Sequence, residues 1–213
     1  MQHDFWHTRW QNQQIGFHLD AVNPLLAAHF QTLDLQAGQR VFIPLCGKTL
    51  DIHWLLSKGI HVAGAELNQL AVDSLFTELG ITPTICQRGS LRHYSAEHID
   101  IFQGDFFELD KALLGDVDAI YDRAALIALP RDMRTRYSQH LIKLTASAPQ
   151  LLISFHYDQL LAEGPPFNVS AEEVAAHYEH TYEISLLADE ILPTGLKGKF
   201  PAQEKLWFLS PLK

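Results

Sequence analysis

Apolar runs and helically spaced apolar residues alternate along the chain. Residues 41–45 (VFIPL) predict a buried strand, and residues 46–49 (CGKT) predict a tight turn after it. From residue 50 the apolar spacing becomes helical, and residues 61–65 predict a second strand that stops at Glu66. This order is typical of a nucleotide-binding α/β unit, in which the acid accepts hydrogen bonds from a ribose.

The same alternation continues to the end of the chain. Helical patterns occupy residues 4–30, 69–79, 107–114, 131–146 and 171–178, with Asn23, Asn68 and Ser170 as caps of three of these helices. Strand patterns occupy residues 84–87, 98–103, 117–121, 150–155, 182–187 and 204–209, the last two as an antiparallel edge. Alternating strands and helices predict a doubly wound, mostly parallel sheet with its ligand at the carboxyl ends of the strands.

Composition and charge narrow the class of ligand. The 213 residues suit one domain, and the formal net charge of -9 at pH 7 disfavours nucleic acid, which needs clustered Lys and Arg. The N-terminus does not resemble a signal peptide, and no apolar run is long enough to span a membrane. With only two cysteines, Cys46 and Cys86, we expect no disulfide framework. We therefore expect a cytoplasmic monomer that acts on a small molecule.

The turn after the first strand separates two kinds of nucleotide ligand. A dinucleotide site normally has the pattern G-x-G-x-x-G, because the backbone must approach a pyrophosphate closely. Here the turn contains one glycine, Gly47, so pyrophosphate fits poorly. S-adenosylmethionine has no phosphate and tolerates a turn with fewer glycines. The triplet GKT at 47–49 also imitates the end of a P-loop, but the leading glycine of that motif would fall at Phe42, inside the strand.

Seven segments together resemble the bacterial thiopurine S-methyltransferases. They are FWHTRW, IGFH, IPLCGKTLD, GAEL, FQGDFFEL, IYDRAALIALP and the pair formed by YD at 157–158 and GPPF at 164–167. The resemblance implies a class I methyltransferase with seven strands, mostly parallel, and an antiparallel last strand. It implies methyl transfer from S-adenosylmethionine to aromatic and heterocyclic thiols, and some bacterial members are associated with selenium and tellurium compounds. We expect a single domain over 1–213, with a helical lid at 1–35 and an α/β core at 36–213.

The resemblance also implies roles for particular residues. The positions that match cofactor contacts are Trp10, Leu45, Glu66, Asp105, Phe106 and Arg123. Positions that match the acceptor side are Phe17 and, as a second lid residue, Trp6. Arg123 is also our candidate catalytic residue, because a cation beside the acceptor favours the thiolate. The chain departs from the animal members of the family around residues 195–199, where the nearest cations are Lys197 and Lys199.

Simpler explanations exist for several of these residues. Trp6 and Trp10 are one helical turn apart, a spacing that more often indicates core packing. Arg123 could pair with Asp122, and Cys46 is best explained as a small apolar filler. His3 and His7 have the spacing of helical metal ligands, but no third ligand is evident, so we expect no metal.

Other functions are compatible with the same fold. One is a methyltransferase for halide, thiocyanate or an inorganic selenium or tellurium species. Another is a non-catalytic module that binds S-adenosylmethionine, and a third is an NAD-dependent oxidoreductase, which the single-glycine turn opposes.

Overall fold

The structure is a computed structural model that describes residues 3–213, and for His3 only the backbone. The described residues divide into two compact units, one up to Ala119 and one from Ile120 onward. No helix among them is long and apolar enough to cross a membrane.

The first unit is built on five strands. Its helices are α1 (His3–Gln11), α2 (Pro24–His29), α3 (Leu50–Ser57), α4 (Gln69–Leu79) and α5 (Lys111–Leu114), with 3-10 turns at Phe30–Leu33 and Phe106–Glu108. Its strands are β1 (Arg40–Ile43), β2 (His61–Glu66), β3 (Thr84–Arg88), β4 (Leu91–Ala96) and β5 (Ile99–Gln103). They lie in the order β3-β4-β5-β2-β1, where β1, β2 and β5 are mutually parallel and β4 is antiparallel to both β3 and β5.

The second unit is built on four strands. They are β6 (Ala119–Asp122), β7 (Gln150–His156), β8 (Tyr182–Ile191) and β9 (Gln203–Pro211), in the order β6-β7-β9-β8. Its helices are α6 (Arg131–Leu144) and α7 (Ala171–Tyr178), with 3-10 turns at Leu126–Ala128 and Gln159–Leu161. Strands β6 and β7 are parallel, whereas β9 is antiparallel to both β7 and β8. The predicted antiparallel edge formed by the two late strands is therefore confirmed.

Each unit has its own apolar core. In the first unit the side chains of β1 and β2 are almost all buried, and helices α3 and α4 pack against β2. In the second unit, Leu151 and Leu152 of β7 and Tyr137 of α6 have no exposed surface. Strands that are buried on both faces have nearly continuous apolar sequences, so the sequence pattern predicts them.

The helix caps follow the local signals in the sequence. The side chain of Asn23 accepts hydrogen bonds from two N–H groups of α2, Asn68 accepts one from Leu70, and Ser170 accepts one from Glu173. Gly80 ends α4 with a φ of 69°, a left-handed conformation that glycine adopts without strain. All three predicted caps are therefore confirmed.

Three expectations about the elements were wrong. Residues 3–213 contain nine strands rather than the seven that the resemblance implies. The sequence patterns indicated eight of them, and the ninth is 91–96, which pairs with 84–88 across a tight turn at Gly89. Every side chain of β3 is exposed, so this strand is held by its backbone pairing with β4, whose Leu91 and Tyr94 are buried. The helical pattern over 4–30 is interrupted by turns between α1 and α2, and the one over 107–114 is divided between a 3-10 turn and α5.

Candidate active site

The turn after β1 has an unusual backbone. Leu45 has a φ of 47° and Gly47 a φ of 54°, both in the left-handed region. A leucine in that conformation costs about 1–2 kcal/mol, so the surrounding contacts must hold it. One such contact is the hydrogen bond from Cys46 N–H to the carbonyl of Ala65, at 2.9 Å. This bond ties the turn to the end of β2.

Glu66 is the last residue of β2 and is only 6% exposed. Its Oε2 accepts a hydrogen bond from Gly47 N–H at 2.8 Å, and its Oε1 accepts one from Asn68 N–H at 2.7 Å. Burial raises the pKa of Glu66 from 4.5 to about 7, although these backbone N–H groups oppose the shift. Each carboxylate oxygen accepts up to two hydrogen bonds, so each can accept one more from a ligand hydroxyl.

Two aromatic rings pack next to this turn, and a third packs against one of them. Trp10 is 8% exposed, and its Cζ2 lies 3.3 Å from the position that a Cβ on Gly47 would occupy. Phe17 packs edge-on against both Trp6 and Trp10, each with ring centroids 5.8 Å apart. The absence of a side chain at position 47 therefore lets the Trp10 indole lie directly on the turn.

A hydrogen bond connects α1 to the segment that follows Glu66. The Nδ2 of Asn68 lies 3.0 Å from Nδ1 of His7. Since an amide nitrogen only donates, His7 Nδ1 is the acceptor of this hydrogen bond. Sequence reasoning identified Asn68 only as a helix cap and His7 only as a discarded metal ligand. The side chain of His3, the other half of that pair, lies outside the described part of the chain.

The segment after β5 reaches the same edge of the strands. Gly104 N–H donates to the carbonyl of Glu66, the last residue of β2, at 2.9 Å. Asp105 follows Gly104 in the chain and therefore lies near the end of β2. Asp105 Oδ1 accepts a hydrogen bond from Phe107 N–H at 3.0 Å and caps the short 3-10 turn. The ring of Phe106 is 2% exposed and stacks on Phe42 with centroids 6.4 Å apart. Phe106 thus contributes to the core as well as to this edge.

Arg123 belongs to the second unit, directly after β6. It is partly exposed, and its attraction lowers the pKa of Glu204 on β9, against a larger upward effect of burial. Lys197, in the loop before β9, donates from Nζ to the Pro165 carbonyl at 2.8 Å.

Of the eight predicted site residues, seven lie in the first unit and Arg123 alone lies in the second.

A cavity of about 470 Å³ occurs elsewhere in the second unit, and none of the predicted residues lines it. Its walls come from α6, α7 and the segment before α7, and include Arg131, Glu172 and His177. These walls are largely polar and charged, which does not suit an apolar aromatic ligand. We therefore base the candidate site on the strand ends and not on this cavity.

The sequence profile of one known family, described as thiopurine S-methyltransferase, matches residues 1–206. The chain belongs to the thiopurine S-methyltransferase family. A thiopurine S-methyltransferase of Xanthobacter autotrophicus is 52% identical over 210 residues, which cover 98% of this chain and 99% of the relative. The corresponding protein of Acinetobacter baylyi is 49% identical over 215 residues, covering 99% of each chain.

A solved methyltransferase structure has a fold similar to that of this chain. It is the 1,6-didemethyltoxoflavin-N1-methyltransferase of Burkholderia thailandensis with bound 1,6-didemethyltoxoflavin and S-adenosylhomocysteine. The TM-score is 0.66 at 14% identity, and the match covers 98% of this chain and 87% of that one. The class I methyltransferase fold is therefore confirmed, and this member of the thiopurine S-methyltransferase family is an S-adenosylmethionine-dependent methyltransferase.

Proposed function

We propose that this enzyme transfers the methyl group of S-adenosylmethionine directly to the sulfur of thiopurines and related aromatic or heterocyclic thiols. The observation that carries the proposal is the buried Glu66 carboxylate, held between Gly47 N–H and Asn68 N–H at a turn on which Trp10 packs. A carboxylate positioned in this way at the end of the second strand suits the two hydroxyls of a ribose.

The residues on this edge fit the cofactor. Glu66 can accept from both ribose hydroxyls, because each of its oxygens accepts one backbone N–H in the structure and retains a second lone pair. We assign the segment of Asp105 and Phe106 to the adenine and the backbone of Leu45 to the methionine part. Trp10 would face the sulfonium, where an aromatic ring adds about 1 kcal/mol of cation–π attraction.

The chemistry asks little of the protein beyond alignment and exclusion of water. The bound cofactor supplies an electrophilic methyl group on a positively charged sulfur. Opposite charges disappear when a thiolate reacts with such a group, so a dry pocket suits the reaction better than a wet one. The task of the side chains is therefore to hold the acceptor sulfur in line with the methyl carbon.

Arg123 is the residue we assign to the thiolate. Its guanidinium stays protonated in proteins, so it cannot act as a base, but it lowers the pKa of a neighbouring thiol. We assign the acceptor ring to Phe17 and Trp6, whose rings pack edge-on in an arrangement that aromatic groups favour.

The remaining expectations about the enzyme accompany this proposal. We infer that residues 1–35 act as a lid, because α1 contacts the site through Trp10 and His7. We also infer a cytoplasmic monomer that takes a small thiol and neither nucleic acid nor membrane. A net charge of -9 and free thiols at Cys46 and Cys86 support that inference.

The test is methyl transfer to 6-mercaptopurine, followed by mass spectrometry, with cofactor binding measured in the same sample. Iodide, thiocyanate, selenite and tellurite are offered as acceptors in parallel. We expect S-methylated 6-mercaptopurine. Methylation of the inorganic acceptors alone would replace the thiol proposal, and cofactor binding without any turnover would indicate a binding module.

A further inference from the structure

A fully buried carboxylate lies immediately before Arg123 in the chain. Asp122 is the last residue of β6 and has no exposed surface. Its Oδ2 accepts a hydrogen bond from the Tyr137 hydroxyl at 2.7 Å, and its Oδ1 accepts one from Leu126 N–H at 3.1 Å. The methyl-transfer scheme above gives Asp122 no role.

The bond to Leu126 closes the loop that carries Arg123. Within this loop, Ala124 has a φ of 60°, a left-handed conformation that disfavours any residue with a Cβ. The Asp122 carboxylate therefore binds the far end of a strained loop, and Tyr137 of α6 holds the carboxylate from behind. A carboxylate accepts on both oxygens, whereas an amide has one acceptor oxygen for Leu126 N–H and would reverse the direction of the bond to the Tyr137 hydroxyl.

We propose that Asp122 is a positioning residue for methyl transfer, which keeps the loop 123–126 in the conformation that directs Arg123 toward the acceptor thiol. Tyr137 assists by orienting the Asp122 carboxylate through its hydrogen bond to Oδ2. The inference rests on the proposed role of Arg123 and adds two residues to it.

If Asp122 positions Arg123, its protonation state should affect activity, so the pH profile tests the role. Burial raises the pKa of Asp122 to about 6, while the bonds from Tyr137, Leu126 and Ala125 lower it. Two ionisable hydroxyls face it, Tyr137 from α6 and Tyr178 from α7, and burial and the Asp122 charge raise the pKa of both well above 10. Both tyrosines therefore stay neutral near pH 6, and Asp122, next to the Arg123 guanidinium, is the group of these three that titrates.

The experiment compares Tyr137→Phe with a matched control, Tyr182→Phe. Tyr182 is also buried and donates to the Ala148 carbonyl at 3.1 Å, so the control loses a buried tyrosine hydrogen bond that does not involve a carboxylate. For each protein, kcat/KM for 6-mercaptopurine is measured from pH 5 to 9 at saturating S-adenosylmethionine. Saturation removes the titration of the cofactor site from the profile.

Tyr137→Phe should lower kcat/KM about tenfold near neutral pH and move its acid limb up by roughly one pH unit, because a bond to the charged form is lost. Its affinity for S-adenosylhomocysteine should be unchanged, and Tyr182→Phe should leave the acid limb in place. If Tyr137→Phe and Asp122→Asn both keep the wild-type profile while Arg123→Lys loses activity, the positioning role is wrong and the proposed function stands.

A second readout does not depend on turnover. The ¹⁵Nε resonance of Arg123, assigned by its loss in Arg123→Lys, should shift in Tyr137→Phe and Asp122→Asn but not in Tyr182→Phe. An unchanged resonance in both variants would overturn the inference. A shifted resonance in a protein that methylates no thiol would support the positioning and refute the proposed function instead.

Discussion

The pKa of Glu66 leads to a quantitative prediction about cofactor affinity. Ribose hydroxyls donate to the ionised carboxylate, so binding should favour loss of the Glu66 proton. Because burial raises the pKa of Glu66 to about 7, the free enzyme is partly protonated at neutral pH. Affinity for S-adenosylhomocysteine should therefore increase from pH 6 to pH 8, and binding near pH 7 should release a fraction of a proton.

The variant that tests this is Glu66→Gln. The amide keeps the size of the side chain, but its NH₂ group must face either Gly47 N–H or Asn68 N–H, both of which are donors. Hydrogen bonds to a charged group contribute about 1.5–3 kcal/mol each, so loss of one such bond should weaken binding at pH 8 by about tenfold to about 150-fold. The pH dependence of the affinity should disappear with the ionisable group.

The Glu66 contribution to the unfolding free energy should fall as the pH rises, whereas cofactor affinity should increase. The folded protein retains the Glu66 proton up to about pH 7, whereas the unfolded chain loses it near pH 4.5. Between these values the folded state binds more protons, so the Glu66 contribution to stability falls as the pH rises. A shift of this size corresponds to about 3 kcal/mol at 1.36 kcal/mol per unit. Glu66→Gln removes this loss and should flatten the dependence of the unfolding free energy on pH.

The assay is isothermal titration calorimetry with S-adenosylhomocysteine in buffers of different ionisation enthalpy, combined with urea unfolding. Asp100→Asn is the matched control, because Asp100 is also a partly buried acid in the first unit, bonded to Arg40 and His93 at the opposite ends of the strands. It should lower stability and leave the affinity of the folded protein unchanged. Equal affinities for wild type and Glu66→Gln, or an affinity independent of pH in wild type, would refute the assignment of Glu66.

Three further predictions concern the rest of the site. Gly47→Ala should lower the unfolding free energy by about 1–2 kcal/mol, because alanine is strained at a φ of 54°; thermal melts measure this loss. It should also weaken cofactor binding, measured by calorimetry, because the new Cβ would press on Trp10. Trp10→Ala should weaken binding of S-adenosylmethionine about fivefold more than binding of S-adenosylhomocysteine, since only the former has a sulfonium charge for the ring; equal losses for both would contradict a sulfonium contact. Arg123→Ala should lower kcat about tenfold or more, with the largest loss for the least acidic thiols in a series of acceptors, and a uniform loss would argue against thiolate stabilisation.

Local signals predicted much of the fold. The caps at Asn23, Asn68 and Ser170 act within three residues of themselves, so a single sequence reveals them. The buried strands are continuous apolar runs, and the acid at the end of β2 stands out against them. The hairpin of β3 and β4 was predicted only in part: residues 84–87 have a strand pattern, whereas residues 91–96 contain no apolar run.

The contacts that complete the site are of a different kind. His7 meets Asn68 across 61 positions of the chain, and Tyr137 meets Asp122 across 15. No local pattern predicts such a partner, because either side chain has many possible partners until the fold has brought the two elements together.

The sequence by itself therefore determined the order of eight of the nine strands, the position of Glu66 at a strand end and the family, since these depend on residue type and spacing alone. Only the tertiary structure decided that Trp10 lies on Gly47, that two backbone N–H groups hold the Glu66 carboxylate, and that Asp122 is buried behind the Arg123 loop. Burial and close approach arise from packing between distant segments, and they set the pKa of both acids.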